Sequence, residues 1–412
     1  MKKLIATLLC IAMLISCLAL AACDKGTGAN NGGNAADGFA VTGDTITIGV
    51  YEPASGDNGA GGKQETLGVK YANDVKKEVT VGGKTYKVEL AIVDNQSSND
   101  KAISAATELI NKGSLVVLGS YGSGVSIAAS ETFKNAGVGA IGVTCTNPQV
   151  TAGNSHYFRV CFLDPFQGTV LANYAKDAGA DRAYVIAQQG NDYDVGLANY
   201  FKQAFGDEST YTYETFPLNT ADFSAYVQKA IDEEADVIFA PTSISYAQLI
   251  IDAAKAKGYT GTILAGDTWD SNKVIEAAQN SDLDIQVTTF YQEGGNAEFD
   301  KGFAEWLNAD AQRITENGGN NMIAAVSVMG YDAYMTALYA IESIKLDEGA
   351  SLTRQAVIDA LAAMSSADNA YTGVTGVIYF DATGDAVRDT AFIKKVDTAA
   401  GVWSFVKEQK AQ

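Results

Sequence analysis

A single histidine, His156, occurs in 412 residues. That scarcity removes the commonest acid–base catalyst and the commonest zinc ligand. The five cysteines, Cys10, Cys17, Cys23, Cys145 and Cys161, show no metal-ligand spacing. No oxygen-rich calcium loop is present, and no serine sits on a nucleophile turn with histidine and aspartate partners. An enzyme built on paired cleft carboxylates would need a nucleophile, metal or cofactor set that is missing. The chain therefore reads as a non-enzyme with no cofactor and no metal. Proline is also scarce, 5 residues against 41 glycines, and with 47% apolar content this is a globular composition. Positive charge is short: 29 Lys and Arg face 49 Asp and Glu, a formal charge of −20. A surface that acidic repels phosphate backbones and anionic lipid, which excludes nucleic acid as a partner.

One long hydrophobic run is present, at the start. In "MKKLIATLLCIAMLISCLALAAC", Lys2 and Lys3 precede an apolar stretch from Leu4 to Leu20. Leu20-Ala21-Ala22-Cys23 then resembles a bacterial lipobox, so residues 1–22 read as a lipoprotein signal peptide and Cys23 as the lipidated first residue. A plain signal peptide or a single membrane anchor are the alternatives. Removing 1–22 leaves 27 basic against 49 acidic residues, a net charge of −22. Residues 23–44, rich in Gly, Asn, Ala and Asp, read as a flexible tether. Of the remaining cysteines, Cys145 and Cys161 either pair or stay as two isolated buried thiols.

From residue 45 onward strands and helices alternate. Strands are predicted at 45–51, 84–94, 114–119, 138–143, 182–187, 211–216, 237–240 and 262–265, with helical patterns between them. Such alternation gives an α/β fold of parallel sheets covered by helices, and two series in one chain give two doubly wound lobes. Ligands of such sheets sit outside the carboxyl ends of the strands.

The loop "GSYGSG" (119–124) follows a strand, with Ser123 at the expected N-cap of the next helix. Backbone N–H groups of residues 124–126 at the positive helix end make an anion site. The glycine spacing is not that of a phosphate loop and nothing basic is nearby, so a single carboxylate suits it better than a phosphate. An ordinary glycine-rich turn with a capping serine is the alternative. The next post-strand loop, "GVTCTNPQVT" (142–151), offers Thr144, Cys145 and Thr146.

These two loops together, "GSYGSGVSIAASETFKNAGVGAIGVTCTNPQVT", resemble the periplasmic leucine/isoleucine/valine-binding proteins of ABC importers without a gap. The pieces "DNQSSNDKAISAATELI", "GNDYDVG", "ADFSAYV", "ILAGDTWDS" and "GYDAYMTALYAI" follow in that family's order. The resemblance implies a type I periplasmic-binding-protein fold: two Rossmann-like lobes joined by three crossover strands around a cleft. It places one lobe at 45–163 and 292–381 and the other at 164–291 and 382–412. Crossovers are expected near Asp164–Pro165, Tyr291–Gln292 and Asp381–Gly384.

The same resemblance implies residue roles. Ser123 matches the serine that binds a ligand α-carboxylate, and Thr144 and Thr146 match the loop that holds the amino acid's polar head. Tyr193 matches a tyrosine that closes from the second lobe. Asp267 matches the acid that pairs with the α-ammonium, where the family has the longer Glu; Asp270 is the alternative acid. In the side-chain pocket, Gly61 stands where the family has a Trp, Tyr121 replaces a small aliphatic, and Cys145 replaces Ala, so leucine specificity does not transfer. Tyr121, Cys145 and Trp269 are the candidate pocket walls. The implied protein is a monomeric, lipid-anchored, extracytoplasmic solute binder that captures an amino acid and delivers it to ABC permease subunits and their ATPase. A sensor for a membrane receptor, or a binder of an amide or other small carboxylate, shares the same cleft.

Overall fold

The computed structural model describes residues 38–410; the signal segment, Cys23 and the tether as far as residue 37 lie outside the described residues. The chain opens with β1 (Thr45–Glu52), α1 (Gly59–Val75), β2 (Glu78–Val81), β3 (Lys84–Asp94), α2 (Asn99–Asn111), β4 (Ser114–Leu118), α3 (Ser123–Asn135), β5 (Gly139–Gly142) and β6 (Tyr157–Arg159). These six strands form one sheet in the order β2-β3-β1-β4-β5-β6. All neighbours run parallel except β2 on β3. Every residue of β4 is buried, as a strand covered on both faces requires. The covering helix α2 buries Ala102, Ala105, Ala106 and Leu109, one face of a 3.6-residue period.

The second sheet follows through α4 (Asp164–Asp177), β7 (Ala183–Gln188), α5 (Asp192–Phe205), β8 (Tyr211–Phe216), α6 (Ser224–Asp232), β9 (Val237–Phe239), α7 (Ile244–Lys257), β10 (Thr262–Ala265), α8 (Asn272–Ala278) and β11 (Asp284–Thr289). After β11 the chain returns to the first lobe. Tyr291 and Phe299, Phe303 and Leu307 of α9 (Ala297–Asn308) pack with Leu67 of α1. Helices α10 (Ala311–Glu316), α11 (Ala325–Ser343) and α12 (Arg354–Ala363) and the short hairpin β12 (Tyr371–Gly373) and β13 (Gly376–Ile378) follow. Val328 of α11 joins the same apolar cluster. The chain then crosses again to β14 (Ala391–Asp397) and β15 (Val402–Gln409), completing the order β15-β14-β11-β10-β9-β7-β8.

The sheets are mixed rather than purely parallel. β14 pairs antiparallel with β11 and β15 antiparallel with β14, because a short turn joins the last two strands where a parallel pair needs a crossover. Three passages of chain link the lobes, after β6, after β11 and after β13. The third is tied to the first by a bridge between Arg159 and Asp385. Helices α1 and α11 approach backbone to backbone. A Cβ on Gly68 would lie 1.8 Å from the Ser327 carbonyl oxygen, and one on Gly330 would lie 2.4 Å from that of Glu65.

Candidate functional site

The carboxyl ends of the two sheets face each other, and a cavity of about 420 Å³ opens between them. From the first lobe it is lined by the loop after β1, the start of α2 and residues 121–125. From the second lobe Gln188, the start of α5, Leu218, Ser243 and Thr268 close it. The lobes touch across it. Tyr121 donates its hydroxyl to the Thr268 carbonyl at 3.0 Å, Asn147 Nδ2 donates to the Asp192 carbonyl at 2.8 Å, and Ser245 Oγ donates to Asp57 Oδ1 at 2.9 Å.

Ser123 is the first residue of α3, not its cap; Gly122 holds the cap position with an extended backbone. The difference is one residue, and it frees the serine hydroxyl from capping. Ser123 Oγ instead accepts from Asn147 N at 3.2 Å, joining the two post-strand loops of the first lobe. The hydrogen-bond ladder of α3 begins with Ser126 N donating to Gly122 O, so the N–H groups of residues 123–125, rather than 124–126, precede it. Three cavity-lining residues, Ser123, Gly124 and Val125, therefore present the positive end of this helix.

In the second lobe, behind the lining residue Tyr193, Asp267 accepts from the Tyr193 hydroxyl at 2.9 Å and from Gln167 Nε2 at 2.6 Å on the same oxygen. The residue is buried, and burial together with the neighbouring Asp164 holds its carboxyl well above the usual range. Asp270, three residues on, makes an ion pair with Lys394 Nζ at 3.0 Å and accepts from the Thr289 hydroxyl. Asp270 is thus committed inside the second lobe, while Asp267 has neutral partners. The cap that positions Tyr193 is Asn191, whose side chain accepts from the N–H groups of Tyr193 and Asp194.

Thr144 donates its hydroxyl to Glu65 Oε1, and the Thr146 hydroxyl stands beside the Asp164 carboxyl. Burial pushes Asp164 up to about 7, with Thr146 and Arg159 acting the other way. Of the expected site residues, Tyr121, Ser123 and Tyr193 line the cavity, while Thr144, Cys145, Thr146, Asp267 and Trp269 lie behind its lining. Cys145 is turned into the apolar cluster between sheet and helices, among Val117, Val125 and Tyr157. Its position next to a glycine strand end explains this: the space over Gly142 is filled by the Cys145 sulfur. Trp269 is fully buried in the second-lobe core, with Nε1 donating to the Thr242 carbonyl at 3.1 Å. Cys145 and Cys161 are both free and buried, and burial pushes the Cys145 thiol up to about 11. Tyr121, by contrast, lies in the cleft. A Cβ on Gly61 would come within 2.3 Å of its ring, so the phenol fills the space that a larger residue at 61 would take.

Two constellations had no signal in the sequence. Arg159 is fully buried and donates to Asp385 Oδ1 at 2.6 Å and to the carbonyls of Cys145 and Asn147, fixing the 144–147 loop. Glu52, at the end of β1, accepts from Tyr121 N at 2.7 Å and abuts Glu65 of α1. Both acids are fully buried; burial and the other's charge raise Glu52 well above the usual range, and burial pushes Glu65 up to about 8. Among the described residues no group of His, Cys, Asp and Glu is arranged to hold a metal. No described helix is long and apolar enough to cross a membrane.

The described body matches the Periplasmic binding protein family over residues 45–401. The chain is 29% identical over 268 residues to a Leu/Ile/Val-binding protein homolog 1 of Brucella abortus, covering 64% of this chain and 71% of that one. A leucine-binding protein of Thermotoga maritima superposes with a TM-score of 0.76 at 30% identity, over 89% of this chain and 99% of that one. A branched-chain amino acid transporter substrate-binding protein of Streptococcus pneumoniae, solved with isoleucine, shares the fold at a TM-score of 0.74 and 24% identity, over 88% and 99% of the two chains. Two lobes, a cleft at the strand ends and a match across nearly all of the described body leave one conclusion: the chain belongs to the periplasmic binding proteins, which bind solutes and are not enzymes.

Proposed function

We propose that this protein captures an amino acid between its lobes and delivers it to an ABC importer. The observation that carries the reading is the pairing of opposite ends across the cleft. The first turn of α3 with Ser123 offers N–H groups and a hydroxyl to a carboxylate. Asp267, buried and held by Tyr193 and Gln167, offers a carboxylate to an ammonium. A zwitterion satisfies both and bridges both lobes, so it binds the closed form better than the open one, which is what closure requires. The Brucella and Thermotoga relatives, named for leucine, isoleucine or valine, support the amino-acid class. The carbonyl and hydroxyl of the 144–146 loop complete the polar head, and the Tyr121 ring forms one wall of the side-chain pocket. In this reading the lobes run 45–163 with 292–381 and 164–291 with 382–412. Diacylated Cys23 tethers the monomer to the outer face of the cell membrane, where the closed shape meets the permease subunits and their ATPase.

Isothermal titration with L-amino acids, and with matching carboxylates and amines that lack the other group, tests this. Ser123→Ala and Asp267→Ala should each weaken amino-acid binding by about 1.5–3 kcal/mol, the worth of a hydrogen bond to a charged group. Unchanged affinity in both variants would remove the assigned pocket. Binding of the bare carboxylates as tightly as of the amino acids would remove Asp267 from its role.

A further inference from the structure

Helix α7 does not cap its own first turn. Its cap residue, Ser243, makes no side-chain hydrogen bond to that turn. The helical ladder starts with Tyr246 N and Ala247 N donating to Ser243 O, so the N–H groups of Ile244 and Ser245 have no acceptor inside the helix. Both acceptors come from the other lobe. Ile244 N donates to Asn58 Oδ1 at 3.4 Å and Ser245 N to the Asp57 carbonyl at 3.3 Å. The Ser245 hydroxyl donates to Asp57 Oδ1 at 2.9 Å. Asn58 is itself the cap residue of α1, yet it gives its own helix no side-chain hydrogen bond. The Ile244 side chain crosses the same boundary. It is 3% exposed and clusters with Tyr121, Ala324 and Val326 of the first lobe, with Ala60 of α1 packed against them. The receiving loop is held within its own lobe: Asp94 accepts from Ala54 N and the Ser55 hydroxyl, and Asn58 N donates to Ser97 Oγ. Ile244, Ser245, Ala324 and Val326 lie outside the cavity lining, so their contacts form without touching cargo.

We propose that the first turn of α7 is a latch for lobe closure, with Ile244 as its peg and Asp57 and Asn58 as a cap supplied by the opposite lobe. The latch rests on the two-lobed body and not on which solute is bound. Opening the lobes exposes the Ile244 side chain to water and exchanges the two backbone hydrogen bonds for bonds to water. The exchange is close to neutral, so apolar burial drives the latch and the cap fixes where the helix lands. The Asp57 carboxylate at the positive end of a 14-residue helix adds attraction in the same direction. Each of these contributions is present whether or not the cavity is filled. They therefore set the closed fraction of the empty protein, and cargo adds only what its own contacts to the two lobes contribute. Ile244 also backs the Tyr121 ring, whose hydroxyl meets the Thr268 carbonyl, so the latch closes against a residue that lines the cavity. Asp57, Asn58 and Ile244 are positioning residues in this account.

Hydrogen–deuterium exchange of the full chain without cargo tests this. N–H groups in the first turn of an uncapped helix exchange freely, so protection at Ile244 and Ser245 reports the other lobe. In the wild type both amides should exchange at least threefold slower than in Ile244→Ala or in the double variant Asp57→Ala/Asn58→Ala. Tyr246 and Ala247, bonded within the helix to Ser243, should keep their protection in all three. Small-angle scattering should give both variants a larger radius of gyration than the wild type. Asn58→Asp keeps the acceptor and should keep the protection. Free exchange of Ile244 and Ser245 in the wild type overturns the latch, as does protection that survives both variants. Loss of protection at Tyr246 and Ala247 as well, with Asn58→Asp no better, reduces these contacts to helix stability and overturns it too. If Ile244→Ala does not fold, the double variant decides, since Asp57 is exposed and Asn58 half-buried.

Discussion

Asp267 and Asp270 stand three residues apart in one loop and are treated oppositely by the fold. Asp270 is paired with Lys394, itself buried, and the two charges cancel inside the second lobe. Asp267 receives two neutral donors and no cation. Their substitutions should therefore separate cleanly. Asp270→Asn leaves the Lys394 ammonium buried and unmatched, a loss of about 3–5 kcal/mol in unfolding free energy. Chemical denaturation should show that loss, while amino-acid affinity measured on the folded fraction stays within twofold. An affinity loss as large as that of Asp267→Ala would make Asp270 a ligand residue instead. The same contrast holds between Tyr121 and Trp269. Both are aromatic residues in post-strand loops, yet Tyr121 reaches across the cleft to the Thr268 carbonyl, and Trp269 is turned down onto Thr242.

At the scale of elements, α1 and α11 determine how closely the first lobe packs. Gly68 lets α1 lie against the Ser327 carbonyl, and Gly330 lets α11 lie against that of Glu65. Gly68→Ala forces the two helix backbones apart, since backbone atoms cannot rotate away as a side chain can. We expect a destabilisation of about 1–3 kcal/mol by thermal unfolding. Unchanged stability would show that the helices are free to separate. The strand–helix alternation of the body was legible because continuous apolar runs such as Ser114–Leu118 and the amphipathic face of Asn99–Asn111 record burial directly. The antiparallel edge β14–β15 was not, since nothing in a local pattern tells which neighbour a strand takes. The two post-strand loops of the first lobe, 119–124 and 142–151, were visible as glycine- and threonine-rich segments. Their orientation was not: Thr144 and Cys145 are adjacent, and that one meets Glu65 while the other enters the apolar cluster depends on the path the loop takes after β5. Glu52 and Glu65 carry no mutual signal either, because they meet through the packing of β1 against α1, and Arg159 meets Asp385 from the opposite end of the chain.

For the whole molecule, buried acids without cations make stability depend on pH in a definite direction. Glu65 titrates near 8 in the folded protein against an ordinary 4.5, and Asp164 near 7 against 3.8. Glu52 and Asp267 are raised as well. Between the unfolded and folded values the native state keeps protons that the unfolded chain has lost. Their contribution is full below the unfolded values, 3.8 for the aspartates and 4.5 for the glutamates, and falls as pH rises toward the folded ones, by about 1.4 kcal/mol per pH unit for each group inside its window. Surface carboxylates bound by donors, such as Asp94 with Ser55 and Glu233 with Thr212 and Arg182, are lowered and act oppositely, losing stability only as pH falls below about 4. His156, half-buried and lowered by desolvation, gains slightly as pH rises toward 6.5 and nothing beyond it, too little to offset four buried acids. The ligand-free thermal midpoint should therefore be highest near pH 4 and fall from pH 5 toward pH 8. A ligand-free midpoint that stays flat or climbs between pH 5 and pH 8 would mean that these carboxyls are ionised and solvated in the empty protein, as an open cleft flooded with water would make them.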